Sequence, residues 1–144
     1  EVELRIPALI PDDYLPDVHT RLTLYKRISS ARNTDDLREL QVEMIDRFGL
    51  LPDPAKYMFA VAELKLRATE LGIRKLDLGE SGGRVHFVEK PNVDPMAIIR
   101  LIQGQPKLYK MEGPDKLRMV LDLPDASSRV LAAKGILTAL QPSA

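Results

Sequence analysis

The side chains that most often carry chemistry are sparse in this sequence and badly spaced for it. Its histidines are His19 and His86, and neither has a second ligand or a nucleophile at a motif spacing. Zinc sites and serine–histidine catalysis both need such neighbours, so the pair reads as ordinary helix and strand residues. Cysteine is absent, which removes thiolate nucleophiles, cysteine-ligated zinc and disulfides together. Gly79, Gly82 and Gly83 resemble part of a phosphate loop, but that loop needs a Lys-Ser/Thr pair opening a helix. Here the glycines lead into a strand pattern at residues 84–88 and serve a turn. Asp12 and Asp13 lie between Pro11 and Pro16, where turn and cap duty explains adjacent acids better than acid–base catalysis does. No catalytic residue, metal ligand or cofactor-binding residue is expected in this stretch.

Charge offers more. A first helix over about 18–31 carries Arg21, Lys26, Arg27 and Arg32, a basic face that could meet phosphates. No aromatic ladder accompanies it, and Tyr25 falls on the apolar side. A second helix over about 35–48 is opposite in sign. With Leu37, Leu40, Met44 and Phe48 centred on the core, Asp35, Asp36, Glu39, Glu43 and Asp46 occupy an arc between roughly 160° and 260°. Arg38 and Arg47 flank that arc, and no basic residue lies inside it. Like charges one turn apart cost a helix ~0.2–0.5 kcal/mol per pair. Asp35 and Asp36 recover part of this at the helix N-terminus, where the macrodipole favours anions, but Glu43 and Asp46 do not. Two readings stand: a solvated acidic face, or a docking stripe for an arginine-bearing partner.

The elements holding these residues follow from capping and periodicity. Residues 1–16 form an extended lead-in, with alternating Val2, Leu4 and Ile6 and prolines at 7, 11 and 16. Asp17 caps the first helix, which turns Leu22, Tyr25 and Ile28 to one face. Asn33 or Thr34 caps the second, and Gly49 closes it. Asp53 caps a third, with Pro54 in its first turn, running to about Leu71 and stopping at Gly72. The period then changes from 3.6 to 2. Strands at 73–78 and 84–88 flank the glycine turn, and strands at 107–111 and 116–122 flank a second turn at 112–115. Asp94 and Pro95 begin a short helix to about Gln103, and Asp125 caps a last one to about 140, with Val130, Leu131, Leu137 and Leu140 inward. The expected fold is α+β: three N-terminal helices, then a small antiparallel four-stranded sheet carrying two further helices.

At 144 residues, 44% hydrophobic and 29% charged, the chain suits one globular domain rather than a disordered segment. Lys plus Arg and Asp plus Glu both total 21, so the basic excess of a typical nucleic-acid binder is missing. No signal-peptide pattern and no run of about 18 apolar residues is present, so no membrane partner is expected. The start at Glu1, running straight into an alternating apolar pattern, reads as an excised piece of a longer polypeptide.

Several segments together closely resemble one family. They are Pro11 to Val18, Arg21-Leu22 with Leu24 to Ile28, Asp46 to Pro54 and Leu71 to Lys75. The set is similar to the C-terminal domain of bacterial transcription-repair coupling factors, along nearly the whole chain until about Leu140. The resemblance implies a cytoplasmic parent, an ATP- and magnesium-dependent duplex-DNA translocase that displaces stalled RNA polymerase and recruits the damage-recognition subunit of nucleotide excision repair. It implies that this domain packs on the parent's N-terminal repair-recruitment module and masks it. The family's acidic contacts fall on Glu43 and Asp46, both on the stripe found from the helical wheel. The motor motifs are not among these residues, so no enzymatic activity is expected of the domain itself. The alternative is an accessory nucleic-acid module using the basic first helix.

Overall fold

A computed structural model describes residues 1–142. Its elements are β1 (Val2–Glu3), α1 (Val18–Ser29), α2 (Thr34–Phe48), α3 (Asp53–Glu70), β2 (Ile73–Gly79), β3 (Gly82–Phe87), α4 (Pro95–Gly104), β4 (Tyr109–Met111), β5 (Lys116–Val120) and α5 (Ala126–Leu140). The chain falls into two compact units, residues 6–66 and residues 1–5 with 67 onward, the boundary lying within α3.

The first unit is helical. Asp17 caps α1 by accepting from the Thr20 amide, and Asn33 caps α2 by accepting from the Asp36 amide at 2.8 Å. Its core gathers Ile10, Leu15, Leu24, Ile28, Leu37, Leu40, Met44, Leu51, Met58 and Phe59. Tyr14 pins the end of α2: its hydroxyl donates to the Gly49 carbonyl at 2.8 Å, and its ring meets Phe48 edge-on at 6.3 Å. The Tyr25 hydroxyl accepts from the Ile10 amide at 2.7 Å, tying the lead-in to α1. Leu22 does not join this core. It is 60% exposed, because the buried stripe runs through Leu24 and Ile28 and Leu22 lies across the helix from it.

The second unit is α+β, and its sheet corrects the expected one. It has five strands in the order β1-β2-β3-β5-β4, and it is mixed rather than wholly antiparallel. β1 pairs in parallel with β2, Val2 opposite Leu76, so a strand precedes the helices. Two residues carry too little periodicity to announce a strand whose partner lies more than 70 positions away. Val2 and Leu4 are buried, and the Leu76 amide donates to the Glu1 carbonyl at 2.8 Å. The other pairings are antiparallel, as expected.

Gly82 and Gly83, expected in a turn, lie inside β3. A Cβ on Gly83 would stand 1.7 Å from the Asp77 carbonyl oxygen, and one on Gly82 would stand 2.2 Å from that of Met119. Close strand approach therefore demands glycine there. β4 begins at Tyr109, not 107, because the Leu108 and Tyr109 amides are taken by the Gln105 carbonyl in a turn. α5 opens on a reciprocal cap between Asp125 and Ser128, and it buries Val130, Ala133, Ile136, Leu137 and Leu140. Leu131, expected inward, is 72% exposed because it stands about 100° from Val130 around the helix.

Candidate functional site

The acidic stripe of α2 forms on one surface as the wheel requires, but its members are not equivalent. Asp36 accepts from the Arg32 amide at 3.0 Å, closing the loop before the helix. Asp35 is 3.4 Å from Arg38. Glu43 is clasped on both oxygens: Arg27 of α1 donates to it at 2.6 and 2.9 Å, and Arg47 donates at 3.3 Å. Hydrogen bonding from Arg27 holds its carboxyl down at about 2 against the opposing effect of desolvation, with Arg27 charge and Arg47 assisting. Among the described residues, the side chains of Glu39 and Asp46 make no hydrogen bond or ion pair, and both are exposed.

Between those free acids stands an apolar residue. Val42 is 59% exposed, one turn from Asp46, and Ile45 is 38% exposed beside it. Leu50, just past the helix end, is 85% exposed. The wheel already places Val42 at the edge of the acidic arc, so the signal was present in the sequence. The surface sets carboxylates beside solvent-exposed aliphatic side chains.

Arg27 is likewise not free for phosphates. Arg21 donates to the Leu15 and Pro16 carbonyls at 2.6 and 3.0 Å. Half of the basic face read from α1 is thus spent inside the helical unit, and Tyr25 is turned to Ile10. A shallow cleft of about 340 Å³ between α1 and α2 is lined by Arg27, Ser30, Asp36, Glu39, Leu40 and Glu43. No group of three His, Cys, Asp or Glu side chains able to hold a metal occurs among the described residues. No helix among them is long and apolar enough to cross a membrane.

Comparison with known proteins agrees with the resemblance. The family model of the TRCF domain matches residues 4–98. The transcription-repair-coupling factor of Escherichia coli (strain K12) is 47% identical over 144 residues, covering 100% of this chain and 12% of that protein. That of Haemophilus influenzae is 46% identical over 130 residues, 90% of this chain and 11% of the relative. The chain therefore spans about an eighth of the length of these relatives. A crystal structure of the C-terminal domain of a transcription-repair coupling factor shares the fold, with TM-score 0.70, covering 97% of this chain and 92% of that one at 19% identity. On the strength of the family match and these identities, the chain belongs to the transcription-repair coupling factor family.

Proposed function

We propose that this chain is a regulatory docking domain, and that the α2 face carrying Glu43 and Asp46 binds an arginine-bearing partner. The observation that carries this reading is an unpaired, exposed Asp46 one turn from an exposed Val42. A free carboxylate can take an arginine fork in two hydrogen bonds while the neighbouring aliphatics exclude water. Glu43 enters the contact already clasped, so an incoming arginine competes there with Arg27 and Arg47.

The partner is the N-terminal repair-recruitment module of the same polypeptide, which this domain masks. The whole protein is a cytoplasmic ATP- and magnesium-dependent translocase on duplex DNA that engages stalled RNA polymerase and recruits the excision-repair damage-recognition subunit. Family membership supports this wider account, and the domain itself supplies no step of the motor chemistry. The test is charge reversal of Glu43 and Asp46 in the full-length protein, read as capture of the damage-recognition subunit. Unmasking predicts increased capture. Unchanged capture sinks the masking role.

A further inference from the structure

The five-stranded sheet has two unlike faces. Leu76, Leu78, Val85, Phe87, Leu117 and Met119 point to one side and are buried, and α4 and α5 pack on the strands. The alternate residues point the other way and stay in contact with solvent. Pairing sets their cations opposite one another. Lys110 faces Arg118, and Arg118 faces Arg84, across β4, β5 and β3. One step along, Lys75, His86 and Lys116 form a second row across β2, β3 and β5. Like charges directly opposite one another destabilise a sheet, so folding alone disfavours this arrangement.

Local acids relieve it only in part. Glu112 accepts from Arg84 at 2.7 Å and stands 3.7 Å from Arg118, Glu1 stands 3.8 Å from Lys75, and Asp77, opposite Arg84, is engaged by Arg5. Arg84 and Arg118 nonetheless keep 48% and 52% of their side-chain surface exposed. Lys110 and Lys116 make no ion pair among the described residues.

We propose that this open sheet face docks an acidic segment of a partner protein, an extended peptide presenting aspartates or glutamates at alternate positions. Neighbouring strands lie ~4.8 Å apart, and alternate residues along a strand recur every ~6.8 Å, the repeat of side chains on one face of an extended peptide. Arg118 offers a planar fork for a carboxylate, and Arg84, whose Nε and Nη2 go to Glu112, keeps its remaining N–H groups, with Lys110 and Lys116 as point charges beside them. The face fits a nucleic acid less well. Among the described residues no Phe, Tyr or Trp stands on it to stack a base.

The test uses a fluorescein-labelled peptide of alternating Glu and Ser, with a duplex DNA of similar charge in parallel. Both are titrated into this chain and into its Lys110→Glu/Arg118→Glu variant. Reversal should weaken the peptide by about tenfold or more, and a Lys110→Gln/Arg118→Gln variant, which removes the like charges without setting two acids opposite one another, should also weaken it with little change in melting temperature. His86 supplies a second readout. Burial, with Lys116, Lys75 and Arg74 around it and Asp115 opposing, lowers its protonation range, and docked carboxylates should raise it in an NMR titration. Peptide that does not bind, that binds the variant equally, or that leaves the His86 midpoint unmoved overturns the proposal. So does duplex DNA binding more tightly than peptide and losing affinity on reversal, which assigns the face to nucleic acid. Self-association abolished by the reversal also overturns it, by assigning the face to a second copy.

Discussion

Arg27 reaches from α1 and closes both terminal guanidinium nitrogens on the carboxylate of Glu43 in α2, at 2.6 and 2.9 Å. The contact divides the acidic face into two kinds of acid. Glu43 is part of the packing of α1 on α2, whereas Asp46, one turn on, is free. The acidic face is therefore a structural clasp at Glu43 beside a free carboxylate at Asp46.

The clasp sets a pH dependence. The Glu43 carboxyl lies at about 2, below its usual 4.5, so its contribution to stability is complete above 4.5. That contribution is lost as pH falls from about 4.5 through about 2, because protonation then favours the unfolded chain. The stability advantage of the natural chain over Glu43→Gln should shrink across that window and level off on either side. Thermal melts at intervals between pH 5 and 2 check it; a constant difference contradicts it.

Reversing the two acids singly should separate their roles. Glu43→Lys leaves Arg27 and Arg47 facing a third cation and should lower the melting temperature. Asp46→Lys should change folding by no more than about 0.5 kcal/mol, as exposed substitutions generally do. Calorimetry of the two variants decides it, and equal melting temperatures would show the clasp to be inert.

That separation marks where sequence reading stopped. Asp17, Asn33, Gly49 and Gly72 announced the first three helices because caps and stops act within a few residues. The acidic stripe was legible for the same reason, being a property of one helix. The partner of Glu43 was not, since Arg27 lies 16 residues away and a wheel sees no second helix. β1 escaped because a parallel pairing with β2 leaves no turn between the two strands to read. Leu22 was set on one face with Tyr25 and Ile28 by helical spacing, and Leu131 inward with Val130, Leu137 and Leu140, but packing kept the stripes centred on Leu24 with Ile28 and on Leu137 with Leu140.

The glycines of β3 should be far less replaceable than that of α5. Gly83→Ala puts a methyl group against the Asp77 backbone and should cost about 1–3 kcal/mol or more. Gly135 has nothing within 4 Å, and Gly135→Ala should stabilise α5 by ~0.5–1 kcal/mol. Denaturant midpoints of the two variants should move in opposite directions.

Asn33 caps the helix that carries the acidic face. Its side-chain oxygen accepts from the Asp36 amide at 2.8 Å, and Asn33→Ala should cost ~1 kcal/mol, with Asn33→Asp close to neutral. Urea unfolding of both variants tests this, and a silent alanine would mean that α2 is held by its packing alone.

If the Asp46 face of α2 is a docking surface, its affinity for a partner depends on that carboxylate. Isothermal titration of this chain against the N-terminal module of its own parent should show binding that Asp46→Lys weakens by about 2 kcal/mol or more, ~30-fold. The variant's melting temperature should match that of the natural chain. Binding of the module by Asp46→Lys as tight as by the natural chain would contradict the account and leave α2 with a solvated acidic face.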